Sequence, residues 1–121
     1  RMVNFDFWDS NILYDTESKK ICWIDPERGF WGDPVADFIT FAPGQKAPLS
    51  AKPKVLDAYN ELAQEKILLS EETEIRYALA VCYLALIEEV EKYARYEPDN
   101  PTYIRNTVDA KDMHEMAFKI L

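Results

Sequence analysis

Acidic and amide side chains cluster near the start of the 121-residue sequence, in an order that could bind a divalent cation. Asp6 and Asn11 are five residues apart, and Asp25 follows the second of two short apolar runs. If those runs form a hairpin, the segments entering and leaving it meet at one end, and the three side chains converge. Two carboxylates and an amide oxygen suit Mg²⁺, which takes further oxygens from water and substrate phosphate. The pattern therefore favours phosphoryl transfer.

These residues stand in an order that resembles the catalytic segment of kinase-like phosphotransferases, most closely the aminoglycoside phosphotransferase and choline kinase family. That family's loop reads His-Gly-Asp, four residues and Asn; a hairpin follows, then Ile-Asp-x-Glu and Gly-Asp-Pro-x-x-Asp-Leu/Phe. The corresponding stretches here are residues 4–11 (NFDFWDSN), 24–27 (IDPE) and 32–38 (GDPVADF). The resemblance covers about residues 2–42, and the helical remainder is compatible with the family's C-terminal helices.

The resemblance implies catalytic and metal-binding roles for three of the matched residues. Asp6 would be the catalytic base or orienter that accepts the proton of the substrate hydroxyl, a role that typically contributes about 10²–10⁴-fold in rate. Asn11 and Asp25 would hold Mg²⁺ on the phosphates of ATP, the phosphoryl donor. The acceptor would be a hydroxyl of a small molecule, such as an aminoglycoside, a choline-like amino alcohol or a sugar-like compound.

Three further acidic residues match the family pattern, and each also has a simpler interpretation. Glu27 would contact substrate, or it is a solvated loop carboxylate. Asp37 would brace the catalytic loop through hydrogen bonds to its backbone, and Asp33 would help to shape that loop. Both aspartates could instead be ordinary helix-cap carboxylates, a common use of aspartate at the start of a short helix.

The sequence departs from the family pattern at the start of the loop. Asn4 and Phe5 replace the family's His-Gly, and Phe5 lacks the backbone freedom of glycine. An asparagine at position 4 can still hold the loop by hydrogen-bonding backbone groups. Residues 24–26 (IDP) together with Trp8 are also similar to fructosamine kinases, a neighbouring branch.

A nucleotide-binding lobe is not recognisable in these 121 residues, because no glycine-rich loop precedes the catalytic segment. We therefore expect the chain to be the C-terminal, catalytic-loop part of a larger kinase, without phosphotransfer activity alone and prone to self-association through exposed apolar surface. One alternative is a degenerate kinase fold that serves as a binding module. Another is an acidic helical interaction domain with a fortuitous motif, which predicts that Asp6, Asn11 and Asp25 lie far apart.

Charge and composition limit the possible partners and compartment. The net charge of -8 disfavours nucleic-acid binding, which needs phosphate neutralisation by Lys and Arg. The excess of acidic residues weakly favours a cationic substrate. Residues 71–74 could line a pocket for such a substrate. The longest uncharged apolar run, residues 77–87, is 11 residues long, whereas a membrane span needs about 20. Cys22 and Cys82 are expected to be buried free thiols, typical of a cytoplasmic protein.

The apolar periodicity predicts one α+β domain, mostly helical, resembling a protein-kinase-like C-terminal lobe with a small β-hairpin. Residues 11–15 and 20–24 should form the hairpin. A short helix is expected within residues 35–42, followed by an irregular connector over residues 43–53.

Three longer helices are expected after the connector. One shows helical spacing from Val55 to Ala63, and the next begins with Ser70 as its N-cap. Because its middle, residues 77–87, is apolar on every side, we expect that helix to be surrounded by protein. The last begins near Thr102, and its core face is predicted to consist of Ile104, Val108, Met116 and Ile120.

Overall fold

Four short strands begin the chain and three α-helices complete it, so the protein has the predicted α+β class. The computed structural model describes residues 1–121. The strands are β1 (Met2–Val3), β2 (Ile12–Tyr14), β3 (Ile21–Trp23) and β4 (Phe30–Trp31). The helices are α1 (Pro53–Leu62), α2 (Glu71–Arg95) and α3 (Pro101–Phe118), and short 3₁₀ helices span Asp9–Asn11, Pro34–Phe38 and Leu49–Ala51.

The predicted hairpin is present. Strands β2 and β3 pair antiparallel, with Leu13 opposite Cys22. In the turn between them, the Asp15 carboxylate accepts hydrogen bonds from the backbone N–H groups of Glu17 and Ser18 at 2.9 and 3.3 Å. No other strand extends this ribbon, and its residues are largely exposed. The prediction that Cys22 is buried is therefore wrong, because nothing packs over that position.

A second two-stranded sheet, which the sequence analysis did not predict, joins the start of the chain to the segment beyond the hairpin. Strand β1 pairs antiparallel with β4, with Met2 opposite Trp31 and Val3 opposite Phe30. Glycine and proline around β4 favoured an irregular loop there. The pairing brings the two ends of residues 4–29 together, so the segment before the hairpin lies close to the segment after it.

Capping side chains determine where α2 and α3 begin. The Ser70 hydroxyl accepts a hydrogen bond from the backbone N–H of Thr73 at 3.1 Å, which confirms the predicted N-cap. The Asn100 side chain accepts one from the N–H of Thr102 at 2.8 Å, and Pro101 occupies the first turn of α3. No helix combines the length and apolar content needed to cross a lipid bilayer.

The core lies where α2 packs against α3 and the 3₁₀ helix Pro34–Phe38. From α2 it takes Tyr77, Ala78, Val81, Leu84 and Ala85; from other segments it takes Val3, Phe5, Val35, Phe38, Ile39, Leu49 and Leu56. Helix α3 contributes the small side chains of Ala110 and Ala117 and the flexible side chain of Met113.

The predicted core face of α3 is wrong for two of its four residues. Ile104 and Val108 are half exposed, at 55% and 50%, whereas Met116 and Ile120 pack against the core. The buried face instead consists of Asn106, Ala110, Met113 and Ala117, and the two alanines let α2 approach closely. The hydrophobic pattern of the sequence predicts the wrong face, because the first buried residue of α3, Asn106, is polar.

An apolar stripe on α2 is exposed, which contradicts the expectation that residues 77–87 are surrounded by protein. Five large side chains on this stripe are more than half exposed: Leu79, Tyr83, Leu86, Val90 and Tyr93. Cys82, expected to be buried, is only partly buried. The helix therefore has two opposed apolar faces, one in the core and one facing solvent. The hydropathy of the sequence does not distinguish an apolar face that packs in the core from one that faces solvent.

A buried lysine fixes the connector between the 3₁₀ helix and α1. Lys52 is 1% exposed, and its ammonium donates hydrogen bonds to the carbonyls of Ile39, Phe41 and Gly44. The distances to the Ile39 and Gly44 oxygens are 3.1 and 2.8 Å. The three bonds give this otherwise irregular segment a defined path beside the candidate site.

Candidate functional site

The segment that resembles a catalytic loop is held by the carboxylate of Asp37. Its Oδ1 accepts hydrogen bonds from the backbone N–H groups of Asn4 and Phe5, at 2.9 and 2.8 Å. The side-chain oxygen of Asn4 then accepts the N–H of Asp6 at 3.0 Å. Burial raises the pKa of Asp37, and the two backbone donors oppose that rise. The bend that presents Asp6 is thus fixed by two polar side chains.

Phe5 adopts the left-handed backbone conformation that glycine prefers, with φ at 62°. This backbone costs a residue with a Cβ roughly 1–2 kcal/mol. The ring is buried and contacts Phe30 and Tyr83, at centroid distances of 5.4 and 5.6 Å. Aromatic packing and the bonds to Asp37 together offset the strain.

Asp6 is nearly buried, and both of its carboxylate oxygens have neighbours. Oδ2 accepts a hydrogen bond from the side-chain amide of Asn11 at 3.0 Å. The guanidinium of Arg28 lies 3.6 Å from Oδ1 and makes a closer ion pair with Glu91, at 2.7 Å. Asp6, Asn11 and Arg28 therefore form one connected polar cluster anchored to α2.

The hairpin brings Asp25 to the same place. The backbone N–H of Ile24 donates to the carbonyl of Asn11 at 3.0 Å, so the end of β3 lies beside the start of β2. Asp25 itself has a positive φ of 57°. Asp6, Asn11, Asp25 and Glu27 line a single open cavity of about 280 Å³. The three side chains therefore share one cavity, in which Asp6 and Asn11 contact each other directly.

The structure places Asp33 differently from the expectation that it shapes the catalytic loop. Its carboxylate accepts the N–H of Val35 at 3.1 Å and so caps the 3₁₀ helix Pro34–Phe38. Arg76 on α2 lies 3.5 Å from it. Asp33 makes no hydrogen bond or ion pair with the loop, and its carboxylate is instead bonded to the helix that carries Asp37 and paired with Arg76. The cap interpretation is thus the one that the geometry fits.

Mg²⁺ requires oxygen donors, and the carboxylate and amide side chains around this cavity are of that kind. No group of three or more His, Cys, Asp or Glu side chains lies close enough to hold a metal ion by itself. Both oxygens of Asp6 already have partners, so the donors left at this cavity are the carboxylate of Asp25 and the side-chain oxygen of Asn11. That set fits Mg²⁺ held by one or two carboxylates, with the remaining ligands from water and phosphate.

A larger cavity of about 770 Å³ adjoins the first, and the sequence analysis did not find it. The two cavities share the lining residues Trp8, Ser10, Glu88, Arg105 and Asn106. The larger cavity is also lined by Gln45 and Lys46 of the connector and by Asp109 of α3. These residues come from four separate segments and form no local motif, so no sequence signal pointed to them.

Glu88 lines both cavities, and its pKa is shifted more than that of any other acidic residue that lines them. It is 9% exposed, its Oε1 accepts a hydrogen bond from Gln45 at 3.2 Å, and its Oε2 has no partner. Burial, assisted by Asp109, raises its pKa to about 7 against the opposing effects of Gln45, Arg28 and Arg105. At neutral pH the carboxyl is therefore partly protonated.

No protein-family model matches the chain, and neither a curated protein nor a solved structure matches it. The assignment of a function therefore depends on the geometry described above.

Proposed function

We propose that the cavity lined by Asp6, Asn11 and Asp25 is the phosphotransfer site of a kinase-like enzyme that uses ATP and Mg²⁺. Its acceptor is a hydroxyl of a small molecule, and the fold is the C-terminal lobe of such a kinase. The observation that carries the proposal is that these three residues, from two segments flanking one hairpin, line one cavity. The Asp37 brace beneath the loop adds support.

Each residue then has a defined task. Asp6 is held by Asn11 so that its carboxylate accepts or orients the proton of the acceptor hydroxyl. Asn11 and Asp25 would hold Mg²⁺, which neutralises charge on the phosphates when it is bound. Glu27, at the open edge of the cavity, would contact substrate. Positioning and charge neutralisation do most of the catalytic work in such sites.

A binding module without catalysis is the second candidate, and one contact favours it. The guanidinium of Arg28 lies 3.6 Å from Oδ1 of Asp6, the oxygen that a substrate hydroxyl would otherwise approach. Under this alternative, the polar cluster stabilises the loop and takes part in no proton transfer. Metal binding separates the two functions, because only the kinase needs Asn11 and Asp25 as ligands.

The proposal is tested by titrating Mn²⁺, a spectroscopic substitute for Mg²⁺, into the chain. The fraction of free Mn²⁺ is read by electron paramagnetic resonance. We expect Asp25→Asn to weaken binding about 10-fold or more. Asp57→Asn, on the exposed surface of α1, is the matched control and should bind like the unmodified chain. Equal Mn²⁺ affinities for the Asp25 and Asp57 variants would contradict the proposal.

A further inference from the structure

The cavity of about 770 Å³ has the volume of a small-molecule site, for which roughly 300–1,000 Å³ is typical. It opens beside the candidate phosphotransfer site, and Glu88 and Asn106 belong to the walls of both. Trp8 and Ser10, between Asp6 and Asn11, also line both cavities. A molecule bound in the larger cavity would therefore lie next to Asp6.

Hydrogen-bonding groups in the wall of this cavity are left unused. The Oε2 of Glu88 and the Oε1 of Gln45 are both buried without a partner. Both residues are more than nine-tenths buried, as is Asn106 beside them. Buried polar atoms without partners are rare in native proteins and call for an explanation. Neither oxygen is on the cavity surface, so a ligand hydroxyl that inserts against the Gln45–Glu88 pair and donates to either oxygen would supply one.

The charges around the cavity nearly balance, which argues against recognition of a cation. Lys46 makes ion pairs with Asp109 and Asp112 at 2.7 and 2.8 Å. Arg105 on α3 lies on the same wall as Glu88. The acidic residues 71–74, which could have favoured a cationic substrate, do not line this cavity. Among them, Glu74 instead accepts hydrogen bonds from the backbone of the connector.

An aromatic surface completes the wall. Trp8 and Phe7 line the cavity, and the Trp8 side chain is 37% exposed. The C–H face of a saturated ring packs well on an indole, while hydroxyls at its rim both donate and accept hydrogen bonds. Carboxyl, carboxamide and guanidinium groups beside an aromatic ring match that chemistry.

We propose that this cavity binds the phosphate acceptor, and that the acceptor is an uncharged polyhydroxylated molecule the size of a sugar. Its hydroxyls donate to Glu88 and Gln45 and accept from Arg105, and its ring packs on Trp8. The assignment as acceptor rests on the proposed function. The preference for an uncharged polyol rests on the cavity itself.

The test is a titration of the isotopically labelled chain followed by ¹H–¹⁵N NMR, with no metal present. D-glucose, D-fructose and sorbitol are the neutral probes, and choline and ethanolamine are the cationic ones. We expect a neutral probe to produce saturable shifts at the Trp8 indole N–H and the Gln45 amide. Gln45→Leu should weaken this binding about 5–10-fold, the effect of one lost hydrogen bond. Gln64→Leu, at an exposed site, is the matched control.

Trp8→Leu provides a second variant at a partly exposed position, where folding is not at risk, and it should weaken binding as well. Tighter binding of a cationic probe at the same resonances would overturn the inference. Saturation by none of the three polyols would also overturn it. Because no metal is present, the outcome is independent of the Mn²⁺ titration. Polyol binding without metal binding contradicts the phosphotransfer site and the assignment as acceptor but not the preference for a polyol, and the reverse result contradicts only this inference.

Discussion

The backbone N–H of Phe5 donates to Oδ1 of Asp37 at 2.8 Å, across 32 residues of sequence. The same oxygen accepts the N–H of Asn4. This contact joins the loop that presents Asp6 to the 3₁₀ helix that packs against α2. It lets a phenylalanine adopt a left-handed backbone, which glycine adopts without strain.

Removal of the Asp37 carboxylate should therefore destabilise the protein. Asp37→Ala leaves two part-buried N–H groups without their acceptor, and we expect the free energy of unfolding to fall by about 2–4 kcal/mol. Urea denaturation followed by circular dichroism measures the change. Asp57→Ala on the surface of α1 is the control and should change the free energy by less than about 0.5 kcal/mol. Equal urea midpoints for both variants would show that the brace is energetically unimportant.

Lys52 should be equally important for the connector. Lys52→Met keeps the alkyl chain but leaves the carbonyls of Ile39, Phe41 and Gly44 without their shared donor. We expect a loss of about 2–4 kcal/mol in the free energy of unfolding. The identical change at the exposed Lys54 is the control and should be nearly neutral. A thermal melt in which both variants unfold at the same temperature would refute this prediction.

Glu88 should make stability depend on pH near neutrality. Its pKa is about 7 in the folded chain against 4.5 for a free glutamate, so between these values only the folded chain retains the proton. The free energy of unfolding then falls as pH rises through this window, by about 3 kcal/mol in total, and the loss is complete by about pH 8. Urea titrations from pH 4 to pH 8 measure it.

Glu88→Gln should remove this dependence, because a carboxamide keeps the acceptor for Gln45 and does not titrate. The variant should be more stable than the unmodified chain at pH 8. Glu61→Gln, on the exposed end of α1, should leave the dependence intact. Parallel pH profiles for the unmodified chain and Glu88→Gln would contradict the prediction.

The exposed stripe on α2 should promote self-association. Leu79, Tyr83, Leu86, Val90 and Tyr93 alternate spacings of four and three residues, the repeat through which two helices pack side by side. We expect concentration-dependent dimers in sedimentation velocity experiments and a monomer for Leu86→Glu. Gln64→Glu adds the same charge elsewhere on the surface and should still dimerise. A monomer at every concentration of the unmodified chain would disprove the prediction.

Local chemistry explains what the sequence predicted correctly. The Asp15 turn and the Ser70 cap each depend on residues within four positions, and both form as expected. Asp6, Asn11 and Asp25 line one cavity because a single hairpin joins their two segments.

Long-range packing explains what the sequence did not predict. The pairing of β1 with β4 joins residues that are far apart in the chain, and glycine nearby favoured a loop. The core face of α3 begins with the polar Asn106, which hydropathy assigns to the surface. The cavity around Glu88 draws on four segments whose meeting depends on the tertiary structure.

The central claim is that Asn11 and Asp25, beside Asp6, bind a divalent cation. Paramagnetic broadening by substoichiometric Mn²⁺ in a ¹H–¹⁵N spectrum tests it most directly, because the effect falls steeply with distance from the ion. We predict that the resonances of these three residues broaden first, and that excess Mg²⁺ restores them. Broadening centred on residues 71–74, or an unchanged spectrum at saturating Mn²⁺, would contradict the account.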